Sequence, residues 1–548
     1  MDEIGGILFL DFASEWEEVS DAVPERDAIV QGERRISYRD FDDAAARFAS
    51  AIEAAGVDEV GKVALYLFNS PEYLIAQYGA FKHRAVPINV NYRYLDNELV
   101  YLVENSDAQV LVFHTSLGGC VARVRDRLAN VRLFVEVDDG GAHVDGAVEF
   151  EELLRAHEPQ VRKSRAPDDL YMIYTGGTTG MPKGVMYPQG DITERLLTAL
   201  AVLRGIPSAP LVREDVAAFV AAVSEQGVES FVPCCPLMHG TAMWVGAMPA
   251  LVSGGTVVLL EGRSFDAHEV WRVVEKEGVT RIVIVGDPFA RPMLRALEER
   301  EASGQPYDTS SVRSISSSGA IWSSEIKDGL RARLSALLID ALGSTEGGSI
   351  GASGANRDIG APTAHFTLAP DSRVVTEDGH EISRGKGEQG ILATRTAAYG
   401  YYKDPEKTAR TFIMIDGESY VLTGDWATVD DDGSVNLLGR GSMSINSGGE
   451  KIFAEEVEEA VKRHPLIDDC LVVGIPDERF GQRIVAVVGT LAPSPPSPAE
   501  IIEFLRLSLA HYKVPKEVMV QDTVRRAPNG KADYGWAREI ALETSTQG

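Results

Sequence analysis

Residues 174–184 read Tyr-Thr-Gly-Gly-Thr-Thr-Gly-Met-Pro-Lys-Gly and directly follow the apolar run Leu170 to Ile173. Glycines let successive backbone N–H groups turn toward one oxyanion, threonine hydroxyls add donors, and Lys183 supplies a charge. The stretch has the composition of an anion cradle at the end of a strand. It is not a Walker A loop, which needs Gly just before Lys and a hydroxyl just after it. Here Pro182 precedes Lys183 and Gly184 follows.

Upstream, Ser37 precedes YRDFDDAAARFASAIEAAG, with an acid three residues on and Gly56 at the end, which predicts an amphipathic helix. Apolar runs at 62–68, 109–113, 131–136, 255–260 and 281–285 alternate with helical stretches, the rhythm of a largely parallel, helix-covered sheet. After about residue 360 the pattern changes to short strands with the turn dipeptides Asp378-Gly379, Asp416-Gly417 and Asp432-Gly433, which predicts antiparallel structure. Beyond Gly439-Arg440, the small-residue stretch GSMSINSGGE leads into EEVEEAVKRHP, a helix signal with acids first, bases last and Pro465 beyond. A further helix is expected around 499–510. The expected fold class is therefore α/β. A large N-terminal domain (1–440) contains two helix-covered sheets and a small β-barrel-like subdomain (about 360–440), and a small α/β C-terminal domain (441–548) follows.

With 548 residues the chain is too long for one compact core. Its 53 Lys+Arg against 82 Asp+Glu give a net charge of −29, which disfavours nucleic acid and anionic lipid as partners. A phosphate-bearing ligand must then be held by a local pocket against the global field. No apolar run approaches the length of a membrane helix, and the N-terminus, MDEIGGILFLDF, lacks the basic start of a secretory signal, so a cytoplasmic protein is expected. The four cysteines show no CxxC spacing, and adjacent Cys234 and Cys235 with His239 lack a fourth ligand for a structural metal.

The anion cradle closely resembles that of the adenylate-forming superfamily, which contains acyl-CoA synthetases, luciferases and the adenylation domains of peptide synthetases. Further matches follow in family order: Leu342-Gly343-Ser344-Thr345-Glu346, then YGYYKDPEKT at 399–408, then Tyr420 to Asp425 (YVLTGD). Gly439-Arg440, Gly448-Gly449-Glu450 and finally Pro528-Asn529-Gly530-Lys531 complete the set. Their joint order is far more specific than any one of them.

The resemblance implies ATP-dependent activation of a carboxylic acid to acyl-AMP, with Mg²⁺, followed by transfer to coenzyme A. In this chemistry catalysis is mostly positioning and charge neutralisation. It implies that Thr175, Gly176, Gly177, Thr178, Thr179, Gly180 and Lys183 hold the leaving phosphates. Thr345 would contact the nucleotide phosphate and Glu346 would bind Mg²⁺. Asp425 and Arg440 would take the ribose hydroxyls, while Ser318, Gly319, Ala320, Leu342, Gly343 and Ser344 would flank adenine. Lys531, carried by a mobile C-terminal domain, would reach the ester and α-phosphate oxygens. After that domain rotates, Gly448, Gly449 and Glu450 would line the coenzyme A channel. His239, in the segment CPLMHG, is implied to face the carboxylate. Met243, Trp244, Met248 and Trp322 are candidates for the acyl pocket, although Met and Trp at such spacing also suit plain core.

Some positions depart from the family pattern. Leu342 stands where an aromatic residue commonly stacks on adenine, Gly176 replaces a hydroxyl residue, and Ser442-Met443 occupy the hinge, where Asp or Lys is usual at the second position. The variations match a subgroup of bacterial fatty-acid or steroid-acid CoA ligases. Alternatives are an acyl-AMP ligase delivering to a carrier protein and a non-catalytic acyl-binding protein. The short stretch after Lys531 leaves no room for a fused carrier domain, which favours a free-standing CoA ligase. The substrate is a small-molecule carboxylic acid, and a homodimer stays open. Two stray motifs read as turns: the GxSxG of residues 347–351, since a nucleophile elbow needs strand–turn–helix, and the GxGxxG of residues 385–390, which precedes a strand-like run rather than a helix.

Overall fold

The computed structural model describes residues 10–175, 181–207, 209–210, 212–353, 363–441, 444–447, 450–477, 481–490, 494–528 and 530–545. A long sheet runs through the large N-terminal domain. Its parallel part is built from Asp27–Gln31, Thr256–Leu259, Ser230–Pro233, Arg281–Ile284, Ser314–Ser318 and Leu337–Ser344, in that spatial order. Strands such as Arg281–Ile284 are buried along their whole length, as a sheet covered on both faces requires. A second, five-stranded parallel sheet holds Lys62–Tyr66, Ala108–His114 and Leu133–Val137 at its centre. A three-stranded antiparallel ribbon of Leu170–Thr175, Lys183–Pro188 and Gly400–Tyr401 carries the cradle.

The antiparallel region expected after residue 360 is present, and it continues the long sheet. Gly348–Ser353 pairs antiparallel with Leu337–Ser344, and His365–Leu368 then links it to Val435–Arg440, Glu418–Val429, Gln389–Arg395 and Ser372–Val375. Asp416 and Gly417 both take positive φ (52° and 85°), the turn that matches the twist of a two-residue hairpin. The GxSxG segment is largely strand, since Gly348–Ser353 lies in the sheet, so Ser349 sits on no elbow. A turn was expected there; antiparallel pairing with Leu337–Ser344 supplies the backbone partners that make it a strand instead.

In the smaller C-terminal domain five strands form one sheet, with Asp469–Asp477 and Gly481–Gly489 paired along nine positions. The helix expected around 499–510 spans Pro498–Arg506, opened by a capping box of Ser497 and Glu500. Near the N-terminus, the helix Tyr38–Ala54 is capped by Ser37 accepting from Asp40 N, as its sequence predicts. Among the described residues no helix is long and apolar enough to cross a membrane.

Candidate active site

The parallel strands of the long sheet end on one side, and ligands of such sheets bind outside those carboxyl ends. From these ends run Cys234 to His239, Val285-Gly286, Gly319-Ala320 and Thr345-Glu346. Gly319 takes φ +93°, a conformation that favours glycine.

Thr175 and Lys183, expected to flank the phosphates, face each other in register across the antiparallel ribbon. Gly176, Gly177, Thr178, Thr179 and Gly180 lie outside the described residues. Lys183 Nζ is ion-paired with Asp404, which also caps the helix Pro405–Thr411 by accepting from Lys407 N at 3.0 Å. Hydrogen bonding to Lys183, then to the Lys407 amide, holds the Asp404 carboxyl below the usual range. Lys183 and Lys407 place their ammonium groups 5.9 and 4.7 Å from the centre of the Tyr401 ring, and Tyr401 OH donates to Glu346 Oε1 at 2.8 Å. Burial, followed by the neighbouring charge of Lys183, lowers the pKa of Lys407. Two cations, Lys183 and Lys407, and two carboxylates, Asp404 and Glu346, thus gather around Tyr401. Such a donor set suits a magnesium ion that arrives with a triphosphate and keeps most of its ligands from phosphate and water. Backbone oxygens fix the Thr345-Glu346 corner: Tyr187 OH donates to Thr345 O at 2.6 Å and Thr396 Oγ1 to Glu346 O at 2.8 Å.

Asp425 and Arg440, expected to take the ribose, are cross-strand partners of Glu418–Val429 and Val435–Arg440. Asp425 is only 7% exposed and its amide donates to Thr423 Oγ1 at 3.1 Å. The strand register shifts between Trp426 and Ala427, just beyond Asp425. Ser318 neighbours Ala341 in register, which sets Gly319-Ala320 beside Leu342-Gly343. Leu342 packs against the cluster of Ile350, Phe366 and Leu392.

His239, expected to face the carboxylate, leads into a π-helical stretch, Thr241–Ala247, a geometry frequent at functional sites. Its Nε2 is out of water and finds no partner among the described residues. Burial first, and then the charge of Lys531, push its pKa down to about 3, so the ring is neutral and Lys531 is close by. Trp244 Nε1 donates to Tyr171 OH at 3.1 Å, and its ring meets Tyr187 edge-on at 6.0 Å. Met243, Met248 and Trp322 are packed in the main core at 1%, 0% and 0% exposure, with Lys327 Nζ 5.6 Å from the centre of the Trp322 ring. Of the proposed acyl-pocket side chains, Trp244 is the one that the structure leaves partly open.

Lys531 follows a tight turn in which Gly530 N donates to Ala527 O and Ala527 N to Lys531 O, both at 2.9 Å. The turn seats against the large domain: a Cβ on Gly530 would lie 3.1 Å from Val285 O and 3.3 Å from Phe289. Arg526 braces it from behind, donating to Gly530 O at 3.0 Å while its other nitrogens grip Asp469. Burial would raise the Asp469 carboxyl, but Lys462 and Arg526 hold it well below the usual range. Met443, Ser442, Gly448 and Gly449 lie outside the described residues, and Glu450 opens the strand Glu450–Phe453.

The pattern described as AMP-binding enzyme matches residues 16–402, and the one described as AMP-binding enzyme C-terminal domain matches residues 456–531. The chain belongs to the AMP-binding enzyme family. It is 39% identical over 543 residues to the 3-oxocholest-4-en-26-oate–CoA ligase of Rhodococcus rhodochrous, covering 97% of this chain and 96% of the relative. It is also 39% identical over 549 residues to a medium/long-chain-fatty-acid–CoA/3-oxocholest-4-en-26-oate–CoA ligase of Mycolicibacterium smegmatis, covering 98% and 97%. Among solved structures, the anthranilate CoA ligase AuaEII in complex with anthranoyl-AMP superposes with a TM-score of 0.83 at 20% identity, covering 100% of both chains. This member of the AMP-binding enzyme family carries contacts that its motifs do not announce. Tyr401 lies within a quoted motif yet gave no sign of holding Glu346, and neither Tyr187 nor Arg526 carried any signal in the sequence.

Proposed function

We propose that the protein activates a hydrophobic carboxylic acid, of the fatty-acid or steroid-acid type, and passes it to coenzyme A. The carboxylate oxygen attacks the α-phosphorus of ATP, the bond to the β,γ-phosphates breaks, and pyrophosphate leaves. The coenzyme A sulfur then attacks the acyl carbon of acyl-AMP, AMP departs, and acyl-CoA is formed. The observation that carries the reading is the 39% identity over nearly the whole length to CoA ligases of such acids. The geometry supports it by setting Lys531 beside His239 at the carboxyl edge of the long sheet.

Each residue then has a task. Lys183 holds the leaving phosphates together with the 176–180 loop, and on nucleotide binding exchanges Asp404 for phosphate. Glu346, oriented by Tyr401, helps to hold Mg²⁺, which neutralises charge on the phosphates. Asp425 accepts from the ribose hydroxyls, beside Arg440, and Ser318 to Ala320 with Leu342 to Ser344 flank adenine. His239 stays uncharged and so faces the incoming carboxylate without trapping it as an ion pair, while Lys531 neutralises the oxygens between acyl carbon and α-phosphorus. We place the domain boundary at residues 440/441, with the C-terminal domain turning about it so that Gly448 to Glu450 serve the thiol, and the protein in the cytoplasm.

The test is a panel of fatty, aromatic and steroid acids with ATP and Mg²⁺, with and without coenzyme A, following AMP and thioester. AMP and thioester from a hydrophobic acid support the reading. Acyl-AMP formed without any thioester would move the acceptor to a carrier protein, and no acid-dependent exchange of pyrophosphate into ATP would leave only an acyl-binding protein.

A further inference from the structure

The helix Asp287–Ala302 of the large domain presents Arg291 and Arg295 one turn apart, and both reach across to the C-terminal domain. Arg295 Nη2 lies 2.5 Å from Asp468 Oδ1 and Arg291 Nε 4.0 Å from the same oxygen. Arg291 also pairs with Asp287 at 3.4 Å, on the same stripe, so its guanidinium is held from both sides. Asp468 is anchored in its own domain by its amide, which donates to Gly489 O at 2.8 Å. The next residue is Asp469, whose carboxylate grips Arg526, and Arg526 in turn donates to the carbonyl of Gly530, beside Lys531. The first turn of the same helix supplies Phe289, against which Gly530 packs.

We infer that the Asp468–Arg295/Arg291 contact is a latch that selects the orientation for acyl-AMP formation, making Asp468, Arg291 and Arg295 positioning residues for Lys531. The inference rests on the function proposed above. Asp468 touches no candidate substrate position, and its carboxylate is the one ionic link, among those described, between this helix and the C-terminal domain. Any rotation that carries Lys531 away must separate Asp468 from both arginines. The latch therefore favours the first half-reaction and must open for the second. Partly exposed ion pairs are modest in strength, so the latch biases the domain's position without locking it.

Asp468→Asn keeps the side chain's size and removes its charge. Acid-dependent exchange of pyrophosphate into ATP should fall about two- to fivefold, the range of a partly exposed ion pair. Thioester formation from supplied acyl-AMP and coenzyme A should hold or rise, which also reports that the variant is folded. Asp468→Arg, setting like charges together, should lower exchange by about tenfold or more, and adding Arg295→Asp should recover most of it. The inference is overturned by unchanged exchange in Asp468→Asn, by an equal loss of both half-reactions, or by no recovery in the charge-swapped pair. A wild-type protein with no acid-dependent exchange would instead overturn the proposed function, and the latch with it.

Discussion

Lys531→Ala is the substitution with the most to reveal. The structure brings this lysine close enough to His239 for its charge to depress the imidazole, in a pocket where burial already strengthens electrostatic interactions. Deleting one preorganised charge or donor from such a site typically slows chemistry by about 10²–10³-fold, or roughly 2.7–4 kcal/mol. Acyl-AMP formation should fall by that factor, measured as acid-dependent pyrophosphate exchange. Thioester formation from supplied acyl-AMP should stay within about twofold of wild type, because in the proposed mechanism that step follows the withdrawal of Lys531. A second readout needs no turnover. With the neighbouring charge gone, the His239 pKa should rise from about 3 while remaining below its ordinary value, since burial is the larger cause. Imidazole proton or nitrogen resonances followed against pH would register the change. Equal loss of both half-reactions, or a His239 titration indifferent to the substitution, would refute the placement of Lys531.

Other expectations follow from the same geometry. Glu15 is fully buried with neither carboxylate oxygen partnered among the described residues; burial, then Glu18 and Asp11, push its pKa up to about 8. The folded protein holds this proton while the unfolded chain releases it above pH ~4.5, so stability contributed by the group is lost as pH rises toward 8, at about 1.4 kcal/mol per pH unit. Glu15→Gln should therefore raise the melting temperature at pH 7–8 and leave it nearly unchanged below pH 4; the opposite order would contradict the assignment. Arg526→Ala leaves Asp469 with Lys462 as its remaining cation and Gly530 without its brace, which should destabilise the C-terminal domain by about 1–3 kcal/mol in urea unfolding; an unaltered transition would count against the brace. Asp425→Asn should raise the KM for ATP roughly 10- to 100-fold by weakening charged hydrogen bonds to ribose, with 2′,3′-dideoxy-ATP insensitive to the substitution. Equal losses for the two nucleotides would mean that Asp425 does not read the sugar.

The outline of the fold was legible because its signals are local. Ser37 and Asp40 announce a helix, the Asp-Gly dipeptides announce hairpins, and the long apolar runs announce buried strands. The continuity of the antiparallel strands with the parallel sheet was not legible, since it depends on His365–Leu368 pairing to both sides, a matter of register between distant segments. The site divides in the same way. The glycine-rich cradle with Lys183 carries its chemistry in its composition, whereas Glu346, Asp425 and Lys531 stand out only through the resemblance of their motifs, since a lone lysine or aspartate in a turn reads as surface structure. Hydrophobic side chains carry no such mark: Met243 and Trp322 are indistinguishable in sequence from pocket residues, and the structure packs them as core. Partners such as Tyr187 and Arg526 act through backbone carbonyls, which impose no pattern on the sequence.

The π turn at Thr241–Ala247 holds one more residue than an ordinary helical turn would need. A single deletion there would let the coil relax to regular winding, and each residue carries about 100° of rotation in an α-helix. The imidazole of His239 and the indole of Trp244 would then face different walls of the cleft, with no change to any side chain. On the function proposed above, acid preference would then be open to revision by changing the length of one short coil, with the residues proposed for the nucleotide left untouched.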